Sequence, residues 1–425
     1  MRPKLWLLSP ISLLGLAWVL TLGIGVLPFL YPDSFSLALY FLSREELGAE
    51  AITLMGLAWI AAALLFFVAL NALTLLRARD LPDTRALTDF ERMARRIFRA
   101  NLVCLGITLV WVLSSAVQMG GIGALIESAQ SDASSLRDQM LENKLFSGMR
   151  LFYGALPAIG AMACVMLAAG RKFGTMSPFA RRILILVLIS DLVALALLPI
   201  VMSQRILLLH LMLASYFGLC MVHQRIVALP QLILGATLFL TTWVLREAVT
   251  NPTIDNHSAL EIGLQKLVFY ISNDFLNSLL PFTQEFDHML GYFSFHFLLI
   301  LTQSRDAVDG LIPERLERIE LVRGGGEWSM LTTPYVDFGI AGALVLLAVF
   351  AIATAIAFHR GHFGLTAATL YAHLAAGFML STHVQYFTNV NFVTGLALTA
   401  FLGRACHLSQ QNAGRPAITP LQRAR

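Results

Sequence analysis

The sequence predicts an all-α, polytopic membrane protein of about ten transmembrane helices, with one large loop that contains amphipathic or re-entrant helices. Three observations carry this. First, 57% of the 425 residues are hydrophobic and only 13% are charged, against about 25% charged in a soluble domain, so too few polar side chains remain to cover a water-facing surface. Second, the apolar residues fall in runs of about 18 or more, the length that crosses ~30 Å of hydrocarbon as a helix. A backbone in lipid must satisfy its own hydrogen bonds, and helices do so within one segment. Third, the basic residues are placed asymmetrically between alternate connectors.

The runs place spans at 5–30, 51–76, 101–122, 151–170, 183–202, 206–222, 228–248, 337–358, 363–384 and 388–405. The chain then divides into an N-terminal membrane bundle of about seven spans (1–248), a large loop (249–336), and a C-terminal bundle of about three spans with a tail (337–425). One set of connectors holds Arg2 and Lys4, seven arginines in 77–100, Arg171, Lys172, Arg181, Arg182, Arg225, Arg360 and the tail arginines Arg404, Arg415, Arg423 and Arg425, which together are 19 of the 30 basic residues. Basic connectors stay in the cytoplasm, so both termini are expected inside, and the large loop is expected on the periplasmic side of a bacterial inner membrane. The first apolar run is too long for the hydrophobic core of a cleaved signal and reads as a span.

Other segments are not simple spans. Residues 77–100 mix arginines with Leu, Phe and Met, which predicts an interfacial helix against anionic headgroups or a solvated basic loop that sets topology. Residues 120–150 predict an outer loop with an amphipathic helix. The four cysteines, Cys104, Cys164, Cys220 and Cys406, have no ligand spacing and read as packing residues. No Walker loop, zinc-protease helix, dinucleotide fingerprint or nucleophile elbow is present, so no nucleotide, haem or metal cofactor is expected, and no nucleic-acid partner.

The loop 249–336 concentrates the informative chemistry. A connector of this length is functional or disordered, and its many aromatic residues argue for order. Its run Met289–Leu301 is too short to span and predicts a re-entrant or interfacial helix. Tyr270, Asn273, Asp274 and Asn277 share one helical face, and aromatic rings beside carboxamides and carboxylates make a surface for sugar rings. The same face also suits an ordinary amphipathic helix. Arg305, Arg315, Arg318 and Arg323 approach Gly324-Gly325-Gly326, where a side-chain-free backbone can meet an anion and guanidinium matches phosphate geometry; the alternative is a hinge into the next helix. Elsewhere, Asp191 lies in mid-span, where a carboxyl must face the protein interior and serves either substrate or proton contact or a structural pairing. Arg205, in a tight outer turn, is a headgroup-phosphate contact or a snorkelling anchor. His373 and His383 read as hydrogen-bonding core histidines.

In layout and in local sequence the chain resembles the Wzy-type O-antigen and exopolysaccharide repeat-unit polymerases. The likeness rests on ten or more spans, an outer loop after the third, an Arg-bearing outer turn (SQRILLL), a large late outer loop, YISNDFLN at 270–277 and WSMLTTPYVDFGIAGA at 328–343. An Arg-x10-Gly spacing occurs from Arg137 to Gly148 and from Arg315 to Gly326. The resemblance implies a metal-independent, inverting glycosyltransferase that joins undecaprenyl-diphosphate-linked oligosaccharide units at the periplasmic face, in company with membrane lipids, a chain-length regulator and a flippase. It implies that Arg137, Arg205, Arg305 and Arg323 contact diphosphate or sugar, that Asp274, Glu285 or Asp337 takes the acceptor proton, and that Tyr270, Asn273, Asn277 and Trp328 form sugar platforms. Lipid A-core O-antigen ligases share the layout and use outer-loop arginines, often with a histidine. A flippase or transporter of lipid-linked glycan, or a structural envelope subunit, are the rival classes; the single asymmetric loop and the absence of paired halves argue against a transporter.

Overall fold

The computed structural model of the chain describes residues 3–79, 81–85, 88–131, 136, 139–140, 142–143, 145–146, 148–173, 176–202, 206–227, 229–250, 258–304, 307–308, 322–324 and 326–413. Among these the regular structure is entirely helical, as the unbroken apolar runs require. The principal helices are α1 (Pro10–Gly25), α2 (Ser36–Arg44), α3 (Leu54–Leu76), α4 (Phe90–Gln118), α5 (Ile122–Ser131), α6 (Met149–Phe173), α7 (Pro178–Met202), α8 (Ile206–His223), α9 (Leu229–Thr250), α10 (Ala259–Leu279), α11 (His296–Leu301), α12 (Thr333–Gly361), α13 (Leu365–Leu380) and α14 (Val390–Ala413). Six helical segments among the described residues are long and apolar enough to cross a membrane: Pro10–Leu30, Leu54–Leu76, Phe90–Gln118, Met149–Phe173, Ile206–His223 and Thr333–Gly361. Ile233–Leu245, Leu365–Leu380 and Val390–Arg404 are shorter apolar helices.

The helix starts follow local chemistry. Ser9 caps α1 by accepting from the Ser12 N–H at 3.3 Å, with Pro10 in the first turn. Thr53 caps α3 through the Gly56 N–H at 3.1 Å, and Asp89 caps α4 through the Arg92 N–H at 3.0 Å. Each supplies an acceptor for an amide that the helix leaves open. Ser258 caps α10 through the Glu261 N–H at 3.2 Å, in the Ser-x-x-Glu spacing of a capping box.

Three expectations change. The arginine-rich stretch does not form a separate interfacial helix over its whole length: from Phe90 onward it is the first three turns of α4, because Asp89 starts a helix and no Gly or Pro interrupts it before the apolar run. The first run is a short 3-10 turn, α1 and a further helical turn Leu27–Leu30, broken where Pro10 and Pro28 remove backbone donors. Within Met289–Leu301 the helix is only the six residues of α11.

Helix α6 sits at the centre. It packs against α4, α7, α8 and α14, and its buried small residues Gly154, Ala155, Ala158, Gly160 and Ala161 let those neighbours approach closely, the packing mode available where lipid gives helices no hydrophobic drive to associate. A second layer is aromatic: Phe67 of α3, Phe350 of α12, and Phe378 and Phe387 beside α13 stack edge-on or tilted, with centroids 4.3–6.4 Å apart. His210 of α8 and His373 of α13 face each other inside the bundle, Nε2 to Nδ1 at 2.9 Å, so His373 is indeed a buried hydrogen-bonding histidine. Trp59 of α3 ties the bundle to the segment before α12 by donating to the Leu331 carbonyl at 3.0 Å. Trp59→Phe keeps the ring and removes that donor. Thermal unfolding in detergent should show a loss of about 0.6 kcal/mol and no more than ~1.7 kcal/mol, the span of interhelical hydrogen bonds in membrane proteins.

Candidate functional site

Helix α10 carries the site's scaffold. Asn273, Asp274, Asn277 and Ser278 fall on one helical face and all are buried. Opposite them run residues 322–324 and 326–332, which are irregular and whose backbone cannot satisfy itself as a helix does. The polar face does so instead. Asn273 donates through Nδ2 to the Gly324 carbonyl at 3.0 Å. Asn277 accepts the Arg323 N–H at 2.8 Å and donates to the Arg323 carbonyl at 3.0 Å. Ser278 Oγ accepts the Ser329 N–H at 3.0 Å, and the Ser278 carbonyl accepts from Thr332 Oγ1 at 2.9 Å. The glycines follow from this contact. A Cβ on Gly326 would lie 2.3 Å from Asn277 Nδ2, and one on Gly324 would lie 2.8 Å from Glu45 Cγ.

Asp274 is held on the same face but points across the segment. Its Oδ1 accepts the Glu327 N–H at 3.3 Å, and its Oδ2 meets Nδ1 of His383. The carboxylate side chain is 3% exposed and the imidazole 48% exposed, so the pair has a dry end and an open end. The open end faces a cavity of about 650 Å³. Asp274, His383, Glu327, Arg150 and Asn389 form part of its lining, and the walls are Leu20 and Ile24 of α1, Phe239 and Trp243 of α9, and Leu267 and Ile271 of α10. Tyr270 stands edge-on to Trp243 with centroids 5.5 Å apart, making an aromatic corner. Protein around His383 pushes its imidazole down, but the Asp274 carboxylate, its hydrogen bond and the nearby Glu327 more than offset this and lift it to about 9. The contact with the buried Asp274 carboxyl thus favours the protonated form of His383.

The sequence-derived candidates separate into groups. Asp274 and Tyr270 line the cavity. Asn273 and Asn277 are the clamp on the return segment rather than part of the lining. Arg323 reaches the other way, donating to the Glu46 carbonyl at 2.6 Å with the Glu46 carboxylate at 3.7 Å, and so pins the segment to the connector after α2. Trp328 is buried in a small cluster with Met289, Tyr292 and Val336, its ring edge-on to Phe293 at 4.7 Å. Asp337 accepts the Phe293 and Ser294 N–H groups at 3.2 and 2.5 Å, which fixes the turn before α11. Glu285 is exposed and is not among the cavity's lining residues. Arg137, Arg205 and Arg305, with Arg315 and Arg318, lie outside the described residues. Among the described residues no three His, Cys, Asp or Glu side chains group closely enough to hold a metal ion.

His383, Glu327, Arg150 and Trp243 enter only through the fold. His383 follows an apolar helix and reads as core until Asp274, 109 residues earlier in the chain, is placed beside it. No family model, curated protein or solved structure matches the chain, so the site stands on its own geometry.

Two outcomes test this geometry. Gly326→Ala should cost about 1–3 kcal/mol in thermal unfolding, the usual penalty for overpacking; wild-type stability would mean that the clamp does not need the close approach. The His383 pair sets a pH dependence. A histidine raised on folding contributes stability that is complete below ~6.5, its ordinary value, and that is lost as pH climbs through about 9. The melting temperature should fall between neutral pH and pH values above that point. His383→Gln should flatten that fall.

Proposed function

We propose that this protein is a glycosyltransferase of the repeat-unit polymerase type, acting on undecaprenyl-diphosphate-linked oligosaccharides at the periplasmic face of the inner membrane, in a bundle of about ten spans with both termini inside. One observation carries the reading: a single cavity is lined both by apolar side chains, among them Leu20, Ile24 and Phe239, and by the ionisable side chains of Asp274, His383, Glu327 and Arg150. A lipid-linked glycan needs that combination, with the prenyl chain against Leu20, Ile24 and Phe239 and the diphosphate and sugars at the polar end. The Tyr270–Trp243 corner offers ring faces to sugar CH groups.

In this mechanism His383, protonated and braced by Asp274, and Arg150 supply the positive charge that meets the departing diphosphate. Glu327 is exposed and takes the proton of the acceptor hydroxyl. The acceptor oxygen bonds to the anomeric carbon of the donor, the bond from that carbon to the diphosphate oxygen breaks, and lipid diphosphate leaves as the anion. Asp274 is a positioning residue: both of its oxygens are already engaged. Arg137, Arg205 and Arg305 remain further candidates for diphosphate and sugar contact, and a chain-length regulator and a flippase are the partners that this role implies.

The cavity histidine favours one second reading, O-antigen ligase-type transfer of a finished glycan from the same lipid to another acceptor. A gel profile of surface and lipid-linked glycan separates the two. A strain lacking the protein should accumulate single repeat units; long chains left on the lipid carrier would identify a ligase, and an unchanged profile would remove both. In the complemented strain, Glu327→Gln should reduce polymer by ~10²–10⁴-fold, the contribution of a general base. His383→Gln should shorten the ladder at equal protein level, and full-length polymer from both variants would remove this cavity as the site.

A further inference from the structure

A second, much smaller cavity lies between α6, α8, α13 and α14. Its volume is about 10 Å³, and Gly154, Ala158, His210, His373, Tyr386 and Asn391 form part of its lining. Leu207, Tyr386 and Asn391 line the large cavity as well, so the two share a wall. A space of this size takes about one water and nothing larger.

Polar side chains of three helices meet here. His210 of α8 and His373 of α13 lie side by side rather than face to face: Nε2 and Nδ1 are 2.9 Å apart, whereas the ring centroids are 5.2 Å apart with planes inclined by 20°. His373 continues the row through its Nε2, 3.4 Å from Thr399 Oγ1 of α14. The two nitrogens of an imidazole point away from each other, so His210 Nδ1 is turned away from His373. It is buried, and among the described residues it has no hydrogen-bond partner. Asn391, on the same cavity, has a buried Oδ1 that is likewise unpartnered among the described residues. That oxygen stands where only a glycine admits it: a Cβ on Gly154 would lie 2.2 Å away.

A neutral imidazole donates through one nitrogen and accepts through the other. If His210 donates to His373, its Nδ1 needs a donor; if His210 accepts, its Nδ1 carries a hydrogen and needs an acceptor. Asn391 Oδ1 needs a donor in either case. Leaving such atoms unpaired in the interior is costly. A water satisfies both arrangements, because it gives one hydrogen to the amide oxygen and either gives its other hydrogen to the imidazole or accepts one from it.

We propose that the small cavity is a binding site for a single ordered water that donates to Asn391 Oδ1 and bonds His210 Nδ1. The water ties α8 to α14 behind the wall of the large cavity. With His210, His373 and Thr399 it completes a row of hydrogen-bonding groups that runs from that wall into the bundle. The site does not depend on the function assigned to the large cavity.

A density map of the wild-type, full-length protein in lipid nanodiscs, at a resolution that shows ordered waters, tests this without any substitution. It should contain one isolated peak within hydrogen-bonding distance, ~2.7–3.2 Å, of both His210 Nδ1 and the Asn391 amide. Asn391→Leu, which removes one partner, should lose that peak and keep the contact between His210 and His373. Solid-state NMR of the same protein with 15N-labelled histidine gives a second readout. Magnetisation passed from water protons should reach a ring nitrogen of His210, assigned as the signal missing in His210→Gln, as it reaches the half-exposed His383. A cavity without density would overturn the proposal, and so would a direct bond between His210 Nδ1 and the Asn391 amide. Transfer from water that reaches His383 but not His210 would overturn it as well.

Discussion

The two carboxamides of Asn273 and Asn277 gripping the backbone of Arg323 and Gly324 are the contact on which the rest of the site depends. An irregular segment packed inside a helical protein carries peptide groups that nothing in its own conformation satisfies, and leaving them unpaired is costly. Asparagine offers a donor and an acceptor on one short, stiff side chain, and two of them one helical turn apart match successive peptide units. Once the segment is seated, Glu327 is delivered to the cavity, its N–H is delivered to Asp274, and the chain is aimed at the start of α12, where Gly339 takes φ 66° and a kink separates the entry turn from the long helix. The glycines at 324 and 326 are then a consequence of close approach to side chains, rather than an exposed cradle.

Electrostatics divide the molecule into two regimes. At the cavity, charges come in mutually supporting sets: a buried carboxylate is compensated by a partly exposed imidazole, which keeps its proton because of that carboxylate. In the bundle interior no opposite charge stands beside the ionisable pair His210 and His373, whose rings bond to each other instead, in a place where an uncompensated charge has no water to stabilise it. The same residue types therefore carry different chemistry according to depth.

Much of the architecture was legible in the chain. Apolar runs marked where helices form to within a few residues for α3, α8 and α9, since length and hydropathy are local properties. Caps such as Ser258 and Thr53 were legible in principle for the same reason. The failures have physical causes. Residues 90–100 look separable from the following apolar run because their composition differs, but a helix has no reason to stop at a change of polarity when its start is capped and its interior is free of breakers. Trp328 resembled a sugar platform because aromatic residues in loops are conspicuous; whether such a ring faces solvent or a small core depends on Phe293 and Tyr292, thirty-odd residues away. Asp337 resembled a base until the amides of Phe293 and Ser294 claimed both of its oxygens.

Composition and periodicity were sufficient for the membrane class, the helical content, the approximate helix positions and the existence of one polar helical face at 270–277, because each of these follows from how a short stretch of chain partitions between water and lipid. Which polar residues share a cavity was settled by packing. Asp274 meets His383 and Glu327 meets Arg150's cavity only after α6, α10, α13 and the return segment are assembled. A charge or hydrogen bond between residues a hundred positions apart is a property of distance in space, and that distance is set by the small-residue seam of α6 and the asparagine clamp together.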